Sequence, residues 1–337
     1  MVLTFEKIMQ EIESGIFHPV YFLMGEEPYF IDKITETIAE KALPQDQKSF
    51  NFITLYGKDV SVREVINTAK RYPMMADRMV VIVKEAQDLR KIEDLHYYLQ
   101  KPQTTTVLVI NYKYKTLDKR RALYTRLKQS DYAVVFESKK LYENKIPSWI
   151  YNYLKNKGLS IDAVASQLLV ESLGTDLSRI ANELDKLAVL LPQGSKITPA
   201  DIEQNVGISK DFNNFELQRA LGEKNYNKVM QIVDYFADNQ KNNPLTLTIS
   251  SLYFFFAKIM KLHFAPKKDK NSLATLLGVH PYFVQEYYTA ANNYPPKKIV
   301  SIIKILREYD LRSKGVNNAS TPAGELLKEM IFRIMYA

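Results

Sequence analysis

The chain has 337 residues, 46% of them hydrophobic and 25% charged, with a formal net charge of +8. That length suits about two or three domains with real apolar cores, so disorder is not the expectation. Cysteine is absent, which excludes disulfides and thiolate zinc sites and fits a reducing compartment.

Of the four histidines, His18, His96, His263 and His280, no two share a ligand-like spacing, so neither a metal nor another cofactor is expected. Met1-Val-Leu-Thr-Phe-Glu-Lys7 turns polar and acidic at once, unlike a secretory signal. The richest apolar run, Leu252-Tyr-Phe-Phe-Phe-Ala257, is short of the ~20 residues of a membrane span. The expectation is a soluble, cytoplasmic protein. Its positive charge reads either as a basic surface or as the mark of a polyanionic partner.

In chain order, five short apolar runs predict strands: Val20–Met24, Asn51–Tyr56, Met79–Val83, Thr106–Ile110 and Tyr132–Phe136. Continuous β-branched runs suit strands covered on both faces, and helical patterns at 32–41 and 61–71 lie between them. This alternation predicts a parallel sheet wrapped by helices over residues 1–140. From about Leu141 the strand signals stop. A helix is expected over 161–173, with Gly174 as its C-cap, and another over 177–191, capped by Thr175 or Asp176 and ended by Pro192-Gln-Gly-Ser195. Thr198-Pro199-Ala-Asp201 opens a short helix. After a boundary near 207–212, helices are expected to begin near Asn214, Asn225, Pro244, Ser272, Pro281, Pro296 and Pro322. The fold class is α/β plus all-α: an α/β domain at 1–140, a small helical domain at 141–210 and a larger one at 211–337.

Four stretches bear on chemistry. Gly25-Glu-Glu-Pro-Tyr-Phe-Ile-Asp32 stands where a nucleotide-binding protein carries Gly-x-x-x-x-Gly-Lys-Ser/Thr. Phe30 replaces the second glycine, Ile31 the phosphate-gripping lysine and Asp32 the magnesium-binding hydroxyl residue. At the end of the third strand, Lys84-Glu85 stands where an ATPase needs paired acids. No catalytic triad or acid pair emerges, so catalysis by this chain is not expected. In Arg71-Tyr-Pro-Met-Met-Ala-Asp-Arg78, Pro73 stops the preceding helix and leaves Met74 and Met75 adjacent in a turn. Two flexible, polarisable side chains there either pack under the sheet or enter a partner's pocket. Asn111-Tyr-Lys-Tyr-Lys-Thr-Leu-Asp-Lys-Arg-Arg121 interleaves tyrosines with Lys113, Lys115, Lys119, Arg120 and Arg121. It reads either as a solvated face or as a nucleic-acid contact.

Taken together, Gly25-Glu-Glu-Pro-Tyr29, the Pro73–Val83 segment and Leu173-Gly-Thr-Asp-Leu-Ser-Arg-Ile-Ala-Asn-Glu-Leu-Asp-Lys-Leu187 resemble the delta subunit family of bacterial DNA polymerase III. Tyr309-Asp-Leu-Arg-Ser-Lys314 is a weaker match. The resemblance spans essentially the whole chain. It implies an AAA+-like α/β domain with a degenerate nucleotide site, a helical lid and a C-terminal helical collar. It also implies a clamp-loader component that binds and opens the sliding clamp on primed DNA without hydrolysing ATP itself, beside the ATPase (gamma/tau) and delta-prime subunits. The family's clamp-contacting pair falls on Met74 and Met75, with Tyr72 and Pro73 beside them. Two other readings stay open at this point: an active AAA+ ATPase, and a standalone nucleic-acid-binding protein.

Overall fold

The computed structural model describes every residue except Ile208, Lys210 and Ala319. The chain divides into two compact units, Met1–Leu141 and Tyr142–Ala337.

In the first unit, β1 (Val20–Gly25), β2 (Phe52–Tyr56), β3 (Met79–Lys84), β4 (Thr106–Lys113) and β5 (Ala133–Ser138) form one parallel sheet in the order β2-β3-β4-β1-β5. Alternate residues of each strand serve two cores. Tyr21, Leu23, Val80, Ile82, Val107 and Val109 meet Ile8 and Ile12 of α1 (Phe5–Glu13) and Ile31, Ile34 and Ile38 of α2 (Pro28–Lys41). On the other face Val20, Phe22, Val81, Val83, Leu108 and Ile110 meet Val62 and Val65 of α4 (Val62–Ala69), and Leu123 and Leu127 of α5 (Ala122–Gln129). Burial on both faces is the reason these strands read as unbroken apolar runs. Each such side chain contributes about 1.5–3 kcal/mol on burial.

Asn51 departs from the expected second strand. It closes a one-turn helix, α3 (Lys48–Asn51), and the strand begins at Phe52. The expected helix at 61–71 ends at Ala69; Ser61 caps it in a reciprocal pair with Glu64.

In the second unit, α6 (Ile146–Lys155), α7 (Ala163–Leu173), α8 (Leu177–Leu190) and α9 (Pro199–Val206) are followed by α10 (Asn214–Gly222), α11 (Tyr226–Asp238), α12 (Leu245–His263), α13 (Lys270–Leu277), α14 (Val284–Asn293), α15 (Pro296–Ser313) and α16 (Ala323–Met335). Asp176 and Thr198 cap α8 and α9 through their side chains, and Gly174 ends α7 at φ +68°. Strand pairing does not stop at 141: β6 (Ser160–Ile161) pairs in parallel with β7 (Lys196–Ile197), two residues each and too short for a periodic signal. The expected boundary at 210 falls on a residue outside those described. Among the described helices, α12 alone has the length and apolar composition of a membrane span, longer than the apolar run suggests. Its Ile249, Leu252, Phe256 and Ile259 recur at helical spacing in the core of the unit.

Candidate functional site

Two places in the α/β unit carry the sequence motifs. The first is the crevice at the carboxyl ends of β1, β3 and β4, beside the strand-order reversal where parallel α/β sheets bind ligands. A phosphate loop must offer free backbone amides there. Here the Gly25 amide donates to the Lys115 carbonyl at 3.0 Å and the Glu26 amide to the Ser138 carbonyl at 2.9 Å. The Tyr29 amide donates to the Glu27 carboxylate at 3.1 Å. Gly25, at φ +132°, lies so close to the end of β5 that a Cβ would stand 2.0 Å from the Ser138 carbonyl oxygen. Ile31 is fully buried under the sheet, and Phe30 packs edge-on against Phe5 at 4.9 Å. The residues present do not fit a nucleoside triphosphate.

A side chain of the protein itself fills part of the crevice. Lys113, at the end of β4, places Nζ 2.7 Å from Asp32 Oδ1 and 3.7 Å from Glu85 Oε1. Its backbone amide donates to Gln87 Oε1 at 3.1 Å. Burial disfavours the charged lysine, but the hydrogen bond it donates to Asp32 and the charges of Asp32 and Glu85 outweigh it and hold Lys113 above its ordinary pKa. Below this pair, Thr35 of α2 donates to Asn111 Oδ1 at 2.9 Å and ties the helix to β4. Both network residues, Asn111 and Lys113, belong to the segment read as basic and tyrosine-rich.

That segment therefore does not form one free cationic stripe. Lys113 is turned inward and paired with Asp32 and Glu85. Lys119 pairs with Glu137 at 2.8 Å, and Arg120 holds both oxygens of Asp118. Lys115 and Arg121 are exposed. Among the described residues no group of three or more histidine, aspartate or glutamate side chains is arranged to hold a metal.

The second place is the loop between α4 and β3. Tyr72 is 78% exposed, Met74 61% and Met75 99%, with Pro73 half-buried beside them. Exposure on this scale removes the reading in which the methionines pack under the sheet. The loop is nonetheless held. Asn51, buried at the end of α3, accepts from the Met74 amide at 2.7 Å and donates through Nδ2 to the Met74 carbonyl at 2.9 Å. Ala76 packs against the core, and the Arg78 guanidinium lies 4.6 Å from the centre of the Phe17 ring. Met75 adopts φ +50°, a left-handed conformation that costs a non-glycine residue about 1 kcal/mol or more. Asn51 escaped the sequence reading because it lies 23 residues upstream and was absorbed into a strand run. Its only signal is a lone amide amid apolar neighbours.

Comparison with known proteins decides the family. The model described as DNA polymerase III, delta subunit, matches residues 21–139, and that described as DNA polymerase III delta subunit, C-terminal domain, matches 211–328. The chain belongs to the DNA polymerase III delta subunit family. A model described as a middle domain matches 143–204. The DNA polymerase III subunit delta of Bacillus subtilis is 28% identical over 320 residues, 91% of each chain. The probable DNA polymerase III subunit delta of Aquifex aeolicus is 22% identical over 88% of this chain and 86% of its own. Among solved structures, the Bacillus subtilis DNA clamp loader delta protein superposes with a TM-score of 0.59 at 24% identity, covering 99% of this chain and all of that one. This last likeness shows that the fold is shared.

Proposed function

We propose that this delta-family chain works as a clamp-loader subunit: it binds the sliding clamp through Tyr72, Pro73, Met74 and Met75 and favours the open ring, without hydrolysing ATP. The observation that carries this reading is the exposed Met74–Met75 pair, on a loop whose Met74 backbone is clasped by Asn51. Two adjacent methionines in water gain nothing from their exposure, whereas a partner pocket gains their burial, with the Met74 backbone already held in place. A pocket that fits the wedge better when the ring is open would shift the clamp toward opening by its differential affinity. The consumed amides and buried Ile31 of the crevice support the absence of ATP hydrolysis. In this reading the energy for the cycle comes from the ATPase (gamma/tau) subunits of a cytoplasmic complex that also holds delta-prime and primed DNA. Residues 1–140, 141–210 and 211–337 act as an AAA+-like domain, a lid and an assembly collar. Within the apolar run of α12, Phe255 and Phe256 are buried, leaving Tyr253 and Phe254 exposed for assembly contacts.

The deciding experiment replaces both methionines with serine in the full chain and titrates the variant against the cognate sliding clamp. Binding should weaken by about 2–4 kcal/mol, from thirtyfold to nearly a thousandfold. The melting temperature should be unchanged, since exposed substitutions cost within about 0.5 kcal/mol. Undiminished clamp binding would remove the wedge from this loop.

A further inference from the structure

The loop is not the only apolar group held out at this end of the sheet. Phe50, in the one-turn helix α3, is 69% exposed, and the next residue is the Asn51 whose amide grips Met74. Asn51 Nδ2 also donates to the Gln47 carbonyl at 3.1 Å, so one buried side chain fastens the helical turn to the methionine loop. Phe50 thus sits one residue from a two-bond clasp on the Met74 backbone, and both are carried by one rigid frame. A buried phenylalanine side chain covers about 150–250 Å², so an exposed Phe50 is a large apolar surface for a partner to take up.

We infer that α3 is the second half of the clamp-contacting surface, with Phe50 touching the same sliding clamp as Met74 and Met75 and Asn51 setting the spacing between them. The inference rests on the wedge reading of the loop. Its occupant is argued from the clasp: a partner that seats Met74 comes within reach of the turn that is hydrogen-bonded to the Met74 backbone. The two backbone segments arrive prealigned, so binding loses little further loop freedom.

The test is Phe50→Ser in the full chain, measured beside Phe50→Leu and the Met74→Ser, Met75→Ser double variant against purified cognate clamp. Phe50→Ser should weaken binding by about tenfold or more without lowering the melting temperature, and Phe50→Leu should recover most of the affinity. If Phe50→Ser binds as the unaltered chain while the double variant does not, the wedge stands and this inference falls. A drop in melting temperature that accounts for the lost binding also overturns it, by assigning Phe50 to the fold. If the double variant binds normally, the wedge reading is what fails; loss on Phe50→Ser alone would then leave α3 as the contact, and no loss would overturn both.

Discussion

At the carboxyl ends of β1, β3 and β4, Lys113 turns inward to Asp32 and Glu85, and carbonyl oxygens take up the Gly25 and Glu26 amides. At the amino end of β3, Tyr72, Met74 and Met75 turn outward, and the buried Asn51 side chain holds the Met74 backbone. The first arrangement closes a place where parallel sheets usually bind ligands; the second opens a place where a loop would usually be polar. A site is made or unmade by which groups are left unsatisfied. Free amides attract phosphate, and uncovered methionines attract an apolar pocket. This chain has removed the former and kept the latter.

The largest effect should come from trying to reopen the crevice. Phe30→Gly with Ile31→Lys restores the missing residue types, yet it puts a lysine into the buried Ile31 position and removes the Phe30 contact with Phe5. It should cost about 4 kcal/mol or more of stability, seen in denaturant unfolding, because an unpaired charge enters an apolar core. Calorimetric titration should find no low-micromolar magnesium-ATP binding in either the variant or the unaltered chain. Tight binding in either would break the comparison at its first term.

A smaller effect is expected from Lys113→Met, which removes the internal cation and leaves Asp32 and Glu85 facing each other. Both carboxylates are partly exposed, so the loss should be only about 1 kcal/mol at neutral pH. The sign with pH is definite. Lys113 is held above its ordinary value of 10.5, so its contribution is fully present below that pH and is lost as the pH rises through the higher folded value. Unfolding curves for the variant and the unaltered chain should stay apart up to about pH 10 and converge above it. A gap that already narrows between neutral pH and about pH 9 would mean that Lys113 is not paired as described.

The smallest effect concerns nucleic acid. Reversing Lys115, Lys119, Arg120 and Arg121 to glutamate should flatten the salt dependence of DNA binding by a reconstituted loader by up to about 0.9 per lost phosphate contact. The contribution of Lys119 and Arg120 should be muted, since their charges are already met by Glu137 and Asp118. An unchanged slope would make the whole segment ordinary surface and sharpen the contrast with the apolar loop.

Local pattern was enough for much of this. The unbroken runs at Val20, Met79, Thr106 and Ala133 disclose strands covered on both sides, because burial on two faces demands apolar residues at every position. The Thr175-Asp176 pair, Thr198-Pro199 and Gly174 announce helix ends because capping is a matter of neighbouring residues, and the structure selects Asp176 over Thr175. The loss of a phosphate-gripping lysine at Ile31 is readable from spacing alone, and Pro73 shows that Met74 and Met75 lie outside the helix. What pattern could not settle was whether those methionines face a core or the solvent, because adjacent residues in a turn carry no periodicity.

Tertiary structure decided the rest, where partners are distant in the chain. Lys113 looked like one of five equivalent cations; its fate depended on Asp32 and Glu85, brought alongside by a parallel sheet that places strand ends together irrespective of sequence order. Asn51 looked like the start of a strand and proved to be the clasp on Met74, 23 residues away. A hydrogen bond or ion pair across the fold costs the sequence only one residue at each end, so it leaves no repeat to read. Burial on a strand or helix recurs every second or every third to fourth residue, and that recurrence is what a sequence can display.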